Sequence, residues 1–312
     1  MNGSRYAYLE RICELVAQGE DLVIVSADYA APALDSFRID YPSRFISVGI
    51  AEQNLIAVSS GLAMSGKRVI AYGCAPFPLL RAFDQIRNTV SIMQIPVNIV
   101  VAGIGFGVPE WGATHYNIDD ISFVRSLPNF KIITPSDDLM GKMVADYALT
   151  NDTPVYVRFD KYAEGTLYDN SSFNIERGFS VLTKGDDVVI ITCGSFTARI
   201  MSLVHIWKDR GVNAKVVDLF SYPFDEDAFC MTIGESPIIT IEEHILSGGI
   251  GSIVLEMLSE RDLRNRIKRL GVAFNGKYPQ TSGSREYYLG KYGLSNAQIT
   301  ATLLAFLDKV NV

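Results

Sequence analysis

The sequence predicts an α/β protein built from two parallel-sheet domains, and three observations carry that prediction. Short β-branched runs alternate with amphipathic stretches along the whole chain, which is the pattern of buried strands covered by helices. The 312 residues exceed the usual size of a single domain. A polar, turn-rich segment, KYAEGTLYDNSSFN from Lys161 to Asn174, interrupts the alternation near the middle and reads as a linker. The expected organisation is therefore a first domain over 1–160, a linker over 161–175 and a second domain over 176–312.

The strands expected in the first domain are LVIVS (Leu22 to Ser26), RFISV (Arg44 to Val48), RVIAY (Arg68 to Tyr72), PVNIVVA (Pro96 to Ala102), KIIT (Lys131 to Thr134) and VYVRF (Val155 to Phe159). Helices are expected between them at Arg5–Val16, Ala51–Met64, Leu79–Met93 and Asp137–Leu149. The second half repeats the grammar. DVVIIT (Asp187 to Thr192) precedes a helix at Phe196–Lys208, NAKVVDL (Asn213 to Leu219) and PIITIEEH (Pro237 to His244) follow, and a further helix starts after GGIG.

Composition narrows the function classes. With 48% hydrophobic and 20% charged residues, the chain can bury sizeable cores. Its net charge of −7, with no basic cluster, argues against a nucleic-acid partner. No uncharged apolar run is long enough to cross a membrane, and the first residues lack a secretion signal. A cytoplasmic protein is the expectation. The four cysteines, Cys13, Cys74, Cys193 and Cys230, show no metal-binding or redox spacing, so no metal ligands are expected in this chain.

The most informative stretch is SVGIAEQNLIAVSSGLAMSGKRVIAYG, where a strand ends at Val48 and Glu52 opens a helix. Ligand groups in α/β proteins gather at the carboxyl edge of the sheet. By position alone, however, an acid in the first helical turn is accounted for by the helix dipole, worth about 0.3–1 kcal/mol. Further along lie FDQIRN (Phe83 to Asn88), GATH (Gly112 to His115), LPNFKIITPSD (Leu127 to Asp137) and VYVRF, in that order. CGS (Cys193 to Ser195), VVDLFSYPFD (Val216 to Asp225), EEH with GGIGS (Glu242 to Ser252) and YGLSNAQI (Tyr292 to Ile299) follow in the second half.

Together these segments make nearly the whole chain resemble the pyrimidine-binding and carboxy-terminal domains of the transketolase family, including 1-deoxyxylulose-5-phosphate synthase. The resemblance implies thiamine diphosphate as cofactor. It makes Glu52 the glutamate that hydrogen-bonds the aminopyrimidine, so that the ring's imino form can take the proton from the thiazolium carbon. A desolvated carboxyl suits that role. Phe77, in APF, corresponds to the aromatic residue that packs on the pyrimidine; from its type alone it is ordinary core. His115 corresponds to the family histidine that faces the reacting carbon. Arg158 corresponds to a phosphate-binding arginine, with a surface salt bridge as the ordinary reading of its type. Asp28, in SADY, corresponds to a residue near the cofactor. His205 and His244 have no comparable context and are expected to be structural.

The departures from the family pattern bear on the substrate. Trp111 stands where an aspartate precedes the histidine motif, Gly103 where a phosphate-contacting histidine is usual, and Pro32 where a serine is usual. Trp111 is therefore expected to line the substrate pocket and to narrow it. The GDG motif with a downstream asparagine, which holds the diphosphate and Mg²⁺, is absent. The resemblance thus implies an amino-terminal partner subunit that supplies those groups, an α2β2 assembly, and two-carbon transfer from a keto donor to a carbonyl acceptor. Two alternatives stand beside it. One is the beta subunit of a 2-oxo-acid dehydrogenase decarboxylase component; the other is a non-catalytic interaction subunit of the same fold.

Overall fold

The computed structural model describes residues 3–27, 32–161, 166–168, 174–274, 276–278 and 282–310. Its strands are β1 (Leu22–Ser26), β2 (Phe45–Ser47), β3 (Arg68–Cys74), β4 (Val97–Ala102), β5 (Lys131–Ile133) and β6 (Val155–Phe159), then β7 (Ser180–Val181), β8 (Val188–Thr192), β9 (Ala214–Asp218), β10 (Ser221–Tyr222), β11 (Ile238–Ile245) and β12 (Ile267–Val272). They form two sheets, ordered β10-β5-β6-β4-β3-β1-β2 and β12-β11-β8-β9-β7. All pairings are parallel except β10 on β5 and β7 on β9. The two-sheet α/β architecture is the expected one.

Central strands read as unbroken apolar runs because both of their faces are covered. β4, VNIVVA, is buried at every position, and so is β8, VVIIT. Asn98 is the polar exception in β4; its amide donates to the carbonyls of Val69 and Ala148, at 3.4 and 3.0 Å. Helices Ser4–Ala17 and Asp138–Thr150 cover one face of the first sheet, and Glu52–Met64 packs on the other. Asp137 caps its helix by accepting from the Met140 amide at 2.9 Å, as an Asp at that position should.

Three features differ from the sequence expectation. The helix expected over Leu79–Met93 is broken: Phe77–Leu80 is one short helix, and a second begins at Phe83 and continues as a π-helical stretch over Ile86–Ile92. Arg81 and Ala82 form the turn that separates the two pieces. β10 crosses over to extend the first sheet, pairing Ser221 with Ile133 and Tyr222 with Ile132, so one strand of the second half completes the sheet of the first. The short strands β7 and β10, strand β12 and the helices Glu226–Ile233, Arg285–Lys291 and Asn296–Val310 add to the elements read from sequence. Of the expected linker, residues 162–165 and 169–173 lie outside the described residues. No helix among the described residues is long and apolar enough to cross a membrane.

Candidate active site

A concavity beside the first sheet, about 480 Å³, opens at the carboxyl ends of β1 and β3 and beneath the loop that follows β4. Such sheet edges, where neighbouring loops diverge, are the usual ligand position in open α/β folds. Glu52, Phe77, Arg81, Trp111 and His115 line it. Three features of the chain bring them there.

Glu52 is the first residue of the helix Glu52–Met64, the next element after β2, and it is 7% exposed. Phe77 opens a one-turn helix that sits tightly on β3. A Cβ on Gly73 would come within 2.4 Å of Pro78 Cγ, so only glycine in β3 lets that turn approach and aim Phe77 into the cavity. His115 and Trp111 belong to the loop between β4 and the helix Asp120–Val124. That loop is closed on itself by an antiparallel bridge between Gly105 and Asn117.

Within the cavity the rings interlock. Phe77 meets His115 edge-on, with centroids 4.9 Å apart and planes at 85°, and Trp111 also packs edge-to-face with the imidazole at 5.0 Å and 75°. Thr114 Oγ1 lies 3.0 Å from His115 Nδ1. Burial holds the imidazole below its ordinary pKa, and the nearby Arg81 charge acts in the same direction, so His115 is neutral at neutral pH. Trp111 stands at the rim, 55% exposed. Lys161 is 5.9 Å from its ring and paired with Glu110 at 3.2 Å. The Cys74 thiol, also in the wall, is pushed up to about 11 by burial and is no nucleophile at neutral pH.

Arg81 is the residue that sequence reasoning passed over. Its Nη1 lies 3.0 and 3.1 Å from the two carboxylate oxygens of Glu52, and its Cζ lies 4.3 Å from the centre of the Phe77 ring. The only sequence signal was a cation one helical turn after Phe77. Its partner Glu52 is distant in sequence.

The structure does not bring Arg158 to this cavity. β6 buries it, 3% exposed, and its Nε and Nη2 donate to the two Asp120 oxygens at 2.9 and 2.7 Å. The same carboxylate accepts from Asn117 Nδ2 at 2.7 Å, Tyr156 OH at 3.0 Å and its neighbour's amide, Ile121 N, at 3.0 Å. Arg158 instead borders a water-sized cavity of about 20 Å³ between the two sheets, with Glu242, His244 and Arg285. His244 is buried there and held down to about 4 by desolvation; its Nδ1 is 2.8 Å from the Ile245 carbonyl, in keeping with a structural imidazole. Arg285 bridges Asp160 of the first half and Glu243 of the second, both at 2.6 Å. His205 lies on the outer helix Ser195–Asp209, away from both cavities. Asp28 lies outside the described residues.

The pocket can be compared with thiamine diphosphate by its chemistry. A buried carboxylate beside an aromatic face suits a planar ring bearing N–H donors, and the guanidinium of Arg81 is such a group in place. The rings fit. For the diphosphate the described residues offer no metal site: no group of three or more His, Cys, Asp or Glu side chains converges among them.

These features define a two-sheet α/β chain with a buried carboxylate and an aromatic face at the carboxyl edge of its first sheet. The model of the transketolase pyrimidine binding domain matches residues 3–164, and that of the transketolase C-terminal domain matches 179–299; the chain belongs to the transketolase family. It is 31% identical to one of the subunits of the apulose-4-phosphate transketolase of Phocaeicola vulgatus, with 99% of each chain covered. It is 34% identical to the 1-deoxy-D-xylulose-5-phosphate synthase of Halothermothrix orenii over 81% of this chain, but over only 41% of that longer protein. Among solved structures, a split gene transketolase described as an inactive beta4 tetramer superposes with a TM-score of 0.86 at 29% identity, covering 99% of both chains.

Proposed function

We propose that this chain is the carboxy-terminal subunit of a split, thiamine-diphosphate-dependent transketolase, working with an amino-terminal subunit in an α2β2 assembly. The observation that carries the reading is the pairing of a buried glutamate with an aromatic face in a cavity whose chain has no GDG motif. End-to-end coverage of the apulose-4-phosphate transketolase subunit and of the split gene transketolase chain supports the division into two polypeptides. Magnesium and the diphosphate would be held by the partner, since Mg²⁺ requires oxygen ligands and usually bridges to phosphate.

When bound, the cofactor would supply the carbon nucleophile for two-carbon transfer from a keto donor to a carbonyl acceptor. Glu52 holds a proton at a pyrimidine ring nitrogen, Phe77 fixes the ring's plane, and neutral His115 accepts or returns a proton at the reacting oxygen. Trp111 closes the donor side of the cavity. Arg158 acts at a distance: through Asp120 and Asn117 it holds the base of the loop that carries Trp111 and His115.

The test is reconstitution with a GDG-bearing partner, thiamine diphosphate and Mg²⁺, followed by exchange of the thiazolium carbon proton with deuterium in wild type and Glu52→Gln. Gln keeps the hydrogen bond but has no acidic proton to share. Exchange should slow by at least about 100-fold, the usual span of positioned proton transfer, while the complex still assembles. Equal exchange rates would make Glu52 a helix-start residue only. Submicromolar cofactor binding by the isolated chain would remove the need for a partner.

A further inference from the structure

We infer that Arg81 is the resident occupant of the pyrimidine seat, so that cofactor loading is an exchange in which the ring displaces a guanidinium from Glu52 and Phe77. The inference rests on the proposed function and deepens it.

The guanidinium meets both demands of the seat simultaneously. It is flat and delocalised, and stacks on aromatic rings; here Cζ is 4.3 Å from the Phe77 centroid. It carries N–H donors, and Nη1 bridges the two Glu52 oxygens at 3.0 and 3.1 Å. A planar ring that hydrogen-bonds Glu52 while lying on Phe77 needs the same carboxylate edge and the same aromatic face. Two flat groups cannot lie on the same ring face at the same distance, so one occupant excludes the other.

Physical reasons favour a built-in occupant. Glu52 is 7% exposed, and a buried carboxylate with no partner is costly. Arg81 supplies that partner while the cofactor is absent. Its own side chain remains 50% exposed, so it can swing into solvent with little rearrangement of the short helix behind it. The seat is therefore filled without being locked.

The exchange weakens cofactor binding by the strength of the interactions that the guanidinium must give up. A half-exposed ion pair and one exposed cation–π contact together correspond to about tenfold in affinity. Removing the guanidinium should release that factor. Lysine, which keeps charge but not planarity, should release less than methionine.

The test uses thiamine, which carries the pyrimidine but no diphosphate and so depends on this chain's half of the site. Binding to the isolated full chain is followed by the emission of Trp111, which sits 5.0 Å from His115 at the cavity rim; the other tryptophan, Trp207, is fully buried elsewhere and adds a constant background. Arg81→Met should bind thiamine about tenfold tighter than wild type, with Arg81→Lys between them. In Arg81→Ala, added methylguanidine should compete with thiamine, whereas in wild type it should not. Unchanged or weaker binding by Arg81→Met overturns the inference, and so does the absence of any response in all variants at the solubility limit. Either result leaves the proposed function to its own test, because proton exchange in the reconstituted complex does not depend on which group fills the seat beforehand.

Discussion

Removing the Asp120 carboxylate tests whether Arg158 is structural or binds substrate. Asp120 is fully buried and accepts five hydrogen bonds, two of them from the Arg158 guanidinium. Asp120→Ala leaves a buried cation whose remaining partner is Thr134 Oγ1 at 3.3 Å, and it strands the Asn117 and Tyr156 donors as well. Breaking a buried pair from one side costs about 3–5 kcal/mol. For a chain of this length that is a fall in Tm of roughly 4–8 °C. Arg158→Met should cost a similar amount, because it strands the carboxylate instead. The double variant Asp120→Ala, Arg158→Met should be more stable than the sum of the single losses, since no charge is then left alone. Thermal and urea unfolding of the four proteins supply the cycle. A loss under about 1 kcal/mol in Asp120→Ala, or strictly additive losses, would refute the reasoning. So would an Arg158→Met protein of normal Tm whose reconstituted complex shows a raised KM for a phosphorylated donor.

Two further outcomes follow from the same geometry. Burial pushes the Glu242 carboxyl up to about 7, against the opposing amides of Gly251 and Ile250. A raised carboxyl contributes stability that is complete below its unfolded value of 4.5 and is lost as pH rises through about 7, in total on the order of 3 kcal/mol. Unfolding measured between about pH 5 and pH 8 should show that decline, and Glu242→Gln should remove its share; an identical slope in the variant would assign it to other groups. At the cavity rim, Trp111→Asp should shift donor preference toward ketose phosphates by about 5- to 150-fold, the effect of gaining one hydrogen bond to a buried hydroxyl. Competition between a ketose phosphate and a small 2-oxo acid measures it, and an unchanged ratio would remove Trp111 from donor recognition.

Much of the molecule is legible in its residues alone. Strand runs such as LVIVS and VYVRF have the residue type and length of buried parallel strands, and they form at Leu22–Ser26 and Val155–Phe159 as read. Glu52, Phe77, Trp111 and His115 are marked by the family resemblance rather than by residue type or position, and they share one cavity. The periodicity over Leu79–Met93 is misleading because hydrophobic spacing does not register the turn at Arg81 and Ala82 that divides the helix. β10 escapes notice because two residues carry no period at all; it exists because the exposed edge of β5 accepts it.

What the sequence by itself determined is the order of the longer central strands along the chain, the family, and the residue types available at the cavity beside the first sheet, since these depend on local pattern and on motifs short enough to read in one dimension. The tertiary structure decided how those residues are partnered. Arg158 and Asp120 are separated by 38 positions and Arg81 and Glu52 by 29, and nothing local to either pair marks the other member. Folding put Arg158 inside the protein, where a guanidinium persists only with a counter-charge. It put Arg81 at a cavity mouth, where the same group can be exchanged.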